Sequence, residues 1–130
     1  MADVETVLFT RLTTHAGLAA LVSVRVYPML LPQAPTMPAV TYQRIDGVRE
    51  SGMTQEHGMA HPRIQVDSWA STYAGAKAVA GQVRAALQRW SDSSTTPEIL
   101  DSFIEGDTDM QEPELKLFRC SMDFIIWHRE

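Results

Sequence analysis

The sequence predicts an α+β fold: an antiparallel sheet of about four main strands with helices packed on one face, in the order α-β-β-β-α-β-β. Three observations predict it. Arg63 to Asp67 alternates, with Ile64 and Val66 facing one way and Arg63, Gln65 and Asp67 the other, the period of a half-buried strand. The period then changes: Tyr73, Ala76, Ala80, Val83, Leu87 and Trp90 recur at spacings of three and four, one apolar helical stripe widened by Val79 and Ala86. Leu115 to Trp127 alternates again, with Phe118, Cys120, Met122, Phe124 and Ile126 along one face.

The remaining elements follow in chain order. Asp3 to Leu12 reads as a helix with Asp3 as its cap and Val4, Val7, Leu8 and Leu12 on one side. Leu18, Leu21 and Val22 continue it for a turn or two, and Val24 to Tyr27 is a short extended piece stopped by Pro28. Residues 28–38 hold four of the seven prolines, so they form an extended loop. Val40 to Ile45 is a strand. Asp46 to Gly58 shows no core period and reads as a long hairpin connection around a lone Met53, either a plain turn or a projecting contact finger. Pro62 suggests a sheet edge. Ser71 or Thr72 caps the main helix, and Arg84 and Arg89 lie near its C-terminal end, where cations are favoured. Ser91 to Pro97 is a polar connection, Pro97 to Glu105 a strand, and residues 105–114 an acidic turn.

The totals restrict function. At 130 residues with 45% apolar and 21% charged side chains the chain is one domain, residues 1–130. A net charge of −5, with nine Arg and two Lys spread along the chain, argues against a nucleic-acid-binding surface. A single cysteine, Cys120, permits no internal disulfide. The N-terminus lacks a signal-peptide pattern and no run is long enough to cross a bilayer, so the expectation is a protein that is cytoplasmic where it is made.

Catalytic chemistry is not visible. Cys120 sits between Phe118 and Met122 on an apolar strand face and reads as a small hydrophobe. His15, His57, His61 and His128 do not supply a zinc spacing, and His57 and His61 read as exposed loop side chains. Glu105, Asp107, Asp109, Glu112 and Glu114 lack the glycine and spacing of a helical calcium loop. No phosphate-binding glycine loop or nucleophile elbow is present. No cofactor is implied. Trp69, at the strand-to-helix corner, is core packing or an interface anchor. Trp127, with Ile125 and Leu117, either lies under the N-terminal helix or forms an exposed apolar patch of the kind that marks an interaction surface. An assembly role is favoured over an enzyme.

An ordered series of motifs carries a resemblance. It comprises L-x-x-L-V-x-x-R-V-Y-P at Leu18–Pro28, M-P-x-V-x-Y-Q at Met37–Gln43, R-I-Q-V-D-x-W-A at Arg63–Ala70, T-Y-A-x-A-K-A at Thr72–Ala78, and the E-P-E…L-F-R-x-S-x-D-F-x-I-W segment from Glu112 to Trp127. The series resembles the tail-completion, or tail-terminator, proteins of bacteriophages with long non-contractile tails, a family also found in prophages and gene transfer agents. The resemblance implies a structural virion protein: a six-fold homo-oligomeric ring at the top of the tail tube, in the neck of the particle. Such a ring ends tube growth and meets the major tail tube protein below and the head–tail connector or stopper above, with DNA passing through without specific binding. It implies no catalytic residues, metal or membrane. Within that reading the hairpin residues Arg44, Arg49, Glu50, Met53, Gln55 and His57 are expected at a protein interface. Asp107, Asp109, Glu112 and Glu114 are expected to give a negative surface or lumen. The rival readings are a head-completion (stopper) protein and a regulatory or ligand-binding module.

Overall fold

The computed structural model describes the backbone of residues 3–46, 49–51 and 56–129, and the side chains of 3–46 and 59–129. Among these described residues ten elements follow one another: α1 (Val4–Thr14), α2 (Ala16–Val22), β1 (Val26–Pro28), β2 (Ala39–Asp46), β3 (Arg49–Ser51), β4 (Glu56–Ala60), β5 (Arg63–Ala70), α3 (Tyr73–Leu87), β6 (Ile99–Glu112) and β7 (Leu117–Arg129).

The helix starts are set by side-chain caps. The Asp3 carboxylate accepts from the Thr6 N–H at 3.0 Å, and this bond holds its pKa below the usual carboxylate range. Thr72, not Ser71, caps α3 by accepting from the Gly75 N–H at 3.0 Å. A Cβ on Gly75 would stand 2.9 Å from the Thr72 hydroxyl, so the cap needs glycine there. The buried residues of α3 are Ala76, Val79, Ala80, Val83, Ala86 and Leu87. Its three alanines and two valines are small enough for the helix to lie close against the sheet. Tyr73 departs from the predicted stripe: it is exposed, because it opens the helix at the sheet rim, and its hydroxyl donates to Asp109 on β6.

The described sheet has seven strands rather than about four, and the order is α-α-β-β-β-β-β-α-β-β. Four of them are long (β2, β5, β6 and β7), and three are short. β1 lies parallel to β2, and every other described pairing is antiparallel. β7 is the spine. β6 runs along one edge of it, while the other edge pairs with β5 over Phe118–Ile125 and then with β4 at His128–Arg129. Pro62 therefore sits between two strands that share β7 as neighbour, not at a sheet edge. It is buried, and its carbonyl accepts from the Ile126 N–H at 3.2 Å. A break between strands needs no ladder donor, so proline is tolerated there.

Period-2 alternation splits the sheet into two faces. Val40, Tyr42, Ile64, Val66, Met122, Phe124 and Ile126 belong to the core shared with Leu8, Leu12, Leu18, Val22 and the α3 stripe. Thr41, Gln43, Gln65, Asp67, Trp69, Ser121, Asp123, Ile125 and Trp127 alternate with them and face away from the helices.

Candidate protein interface

The helix-free face of the sheet carries two apolar patches on either side of a polar centre. At one end a groove of about 450 Å³ runs over Thr41, Gln43, Gln65 and Asp67. Its walls are Met29, Leu30 and Leu31 from the proline-rich loop, with Leu115 from the turn between β6 and β7. Met29, Leu30 and Leu115 are 61%, 77% and 58% exposed, so three large apolar side chains stand in solvent around one depression. That concentration marks an interaction surface better than singly scattered apolar residues do.

The floor of the groove is tied across all four long strands. The Trp69 indole N–H donates to the Thr41 hydroxyl at 2.9 Å, joining β5 to β2. The Arg119 guanidinium lies 5.1 Å from the Trp69 ring centroid and pairs with Asp67 at 3.3 Å and Glu112 at 2.9 Å. Gln65 donates to Asp67 at 3.0 Å. Trp69 is therefore both buried packing and the base of an exposed groove.

At the other end of the same face lies a second apolar patch. Trp127 is half-buried there and stacks on His61 with centroids 4.1 Å apart, beside Phe103 and Ile125. Trp127 is thus not under the N-terminal helix. His61 is half-buried against that ring rather than an exposed loop side chain, and His128 is buried on β7. Between the two patches the face is polar, with Gln65, Gly106, Thr108, Ser121 and Asp123 around a shallow depression.

The acidic run is strand, not turn. β6 continues through Glu112, so Glu105, Asp107 and Asp109 lie on its exposed C-terminal half. Among the described residues no strand pairs with its outer edge there. Only Glu114 of the expected set falls in the turn. The four acids are not alike. Asp109 accepts from Tyr73 at 2.7 Å, pairs with Lys77 at 3.4 Å and receives the Cys120 thiol at 3.3 Å; the Tyr73 bond first, then that of Cys120, lowers its pKa. Glu112 is held by Arg119, while Asp107 and Glu114 are exposed.

Of the expected hairpin residues, Arg44 pairs with Glu5 of α1 at 2.6 Å. Arg49 and Glu50 lie on β3, which pairs with β4, the strand that carries His57. Met53 and Gln55, and the side chains of Arg49, Glu50 and His57, lie outside the described residues. The groove itself was not singled out from sequence. The signal available was the apolar triplet Met29–Leu30–Leu31 inside a proline-rich loop, where no core period explains it.

No arrangement for catalysis is assembled among the described residues. Cys120 is 2% exposed, and burial, then its bond to Asp109, pushes its pKa to about 11. A thiol with that pKa is no nucleophile near neutral pH. Among the described residues no three His, Cys, Asp or Glu side chains converge as metal ligands, and no helix is long and apolar enough to cross a membrane.

Residues 6–129 match the family described as tail completion protein gp17. The chain belongs to that tail completion family. The match spans nearly the whole sequence, and the family is one of structural virion proteins rather than enzymes. A chain from a structure titled "Virion of native gene transfer agent (GTA) particle" is similar in fold, with a TM-score of 0.75 at 22% identity over 95% of this chain and 92% of that one. No curated protein sequence matches.

Proposed function

We propose that this tail completion protein forms a ring, of six copies, at the head-proximal end of a tail tube, where it ends tube polymerisation and joins the tail to the head-side connector. The observation that carries the reading is the helix-free sheet face. It combines two apolar patches with a polar centre and, among the described residues, offers no reactive group, the make-up of a contact surface. A closed ring needs two different lateral surfaces on each subunit besides an upper and a lower one. The groove at Met29, Leu30 and Leu115 serves as one of these contacts in our reading.

The hairpin carrying Arg44, Arg49, Glu50, Met53, Gln55 and His57 would reach the tube or the neighbouring subunit, and shortening it should block joining while the monomer stays folded. Asp107, Asp109, Glu112 and Glu114 would keep the wall of the DNA passage negative, so that phosphates are repelled rather than held. Of these, Asp107 and Glu114 are the informative positions for charge reversal, because Asp109 and Glu112 also serve internal contacts. DNA ejection that is unaffected by D107K/E114K would remove this part of the reading.

Electron microscopy of particles assembled without this gene tests the whole. Overlong or irregularly ended tails apart from filled heads are expected. Normal tails with emptied heads would place the chain on the head side as a stopper. Intact infectious particles would refute a joining role.

A further inference from the structure

We propose that Arg119 is the positioning residue of the groove: through Glu112 it pins the turn between β6 and β7, and so fixes Leu115 as a rigid wall. The proposal rests on the groove being a contact surface, as argued above. Arg119 opens towards two carboxylates on opposite sides of its own strand. One guanidinium nitrogen meets Asp67 on β5 at 3.3 Å, and the other meets Glu112 on β6 at 2.9 Å and the Met110 sulfur at 3.1 Å. The planar fork of arginine spans two such partners where a lysine ammonium cannot.

The Arg119 side chain is 21% exposed and Asp67 9%, so the Asp67 arm is shielded and anchors the guanidinium, while Glu112, 34% exposed, is the partly screened arm that reaches the turn. The Arg119 Nε is buried without an acceptor among the described residues. An arginine kept at that cost is placed for its fork rather than for packing. The Glu112–Leu117 ladder pair and the buried Leu117 close the base of the turn, and the residues between them are held by less. Pro113 and Glu114 are exposed, Lys116 sits at a φ of 56°, and the Leu115 and Lys116 N–H groups bond within the turn, to Glu112 and Pro113 at 3.2 Å each.

The test is amide hydrogen exchange on the full chain and on E112Q and R119K. Both variants are expected to exchange about threefold faster at Leu115 and Lys116, the size of a partly screened ion pair, while the Ile126 amide keeps its wild-type rate. E112Q carries the test alone if R119K fails to fold. Wild-type rates at Leu115 and Lys116 in E112Q would overturn the proposal, since the turn would then hold itself. In gene-deletion complementation, E112Q is expected to lower the yield of joined particles. Full joining despite a loosened turn would overturn the claim that a rigid wall matters. If L30D also joins fully, it is the groove reading that fails instead.

Discussion

The bond between Trp69 and Thr41 allows the sharpest test of how the groove floor is built. Thr41 is 4% exposed and Trp69 is buried, and the indole N–H donates to the hydroxyl at 2.9 Å. Thr41→Val keeps the shape and the β-branching but removes the acceptor. A buried donor left without a partner costs about 1–3 kcal/mol. For a domain of this size, ~1.5 kcal/mol corresponds to a fall in Tm of about 5 °C. Trp69→Phe removes the donor, and it also leaves a void and ends the contact with Arg119, for a loss of about 2–4 kcal/mol. In the Trp69→Phe background the threonine hydroxyl no longer has its donor, so adding Thr41→Val should cost almost nothing. The cycle then yields a coupling equal to the whole loss of the Thr41→Val single variant, about 1–3 kcal/mol, read from urea unfolding of the four proteins. A neutral Thr41→Val single variant, or strictly additive losses, would refute the claim that this bond ties β2 to β5.

Leu30→Asp and Leu115→Asp should leave Tm within about 2 °C of wild type, because both side chains are exposed, yet block joining in complementation. Ser68→Ala should raise stability by about 1 kcal/mol in urea unfolding, since its hydroxyl is fully buried and has no partner among the described residues. Cys120 is protonated more tightly folded, at about 11, than at its ordinary value of 9.0. Its stabilising contribution is therefore full below pH 9 and lost as pH rises towards 11, by about 2 kcal/mol relative to Cys120→Ala. Parallel pH dependence of the two proteins would contradict this. Native protein should also resist thiol alkylation at pH 8 until it is unfolded.

Long elements with a sustained period were legible in the sequence. The α3 stripe and the alternation of β5 and β7 survive in the structure because each buries a continuous apolar row. What escaped has no such row. β3 spans three residues, too few to show a period. The C-terminal half of β6 is exposed on both of its faces from Glu105 to Asp109, so nothing apolar announced a strand. Its hydrogen bonds to β7, not its side chains, make it extended. Tyr73 matched the helical spacing but stands at the rim, since spacing reports a face and not how far the sheet reaches beneath it. The resemblance pointed to the family without pointing to a surface. The groove joins residues 29–31, 69 and 115, and only the sheet register brings these together.

The exposed half of β6 also constrains how copies of the chain can meet. An unpaired strand edge is a template for adding another strand. Pairing two such edges antiparallel about a two-fold axis at Thr108 would set Asp107 of each copy opposite Asp109 of the other, and like charges directly opposite one another destabilise a ladder. The acids thus blunt a contact that would close two copies into a dead-end dimer. A symmetric contact at this edge is thereby disfavoured, whereas a heterologous contact, with a different surface on each side, is not, and heterologous contacts close into rings when the rotation permits. The acidic run can serve the proposed ring in this second way, independently of any DNA passing through it. Replacing Asp107 with Asn would separate the two roles: self-association at the β6 edge would increase even where no DNA is present, and an unchanged monomer mass at high protein concentration would leave only the lumenal role.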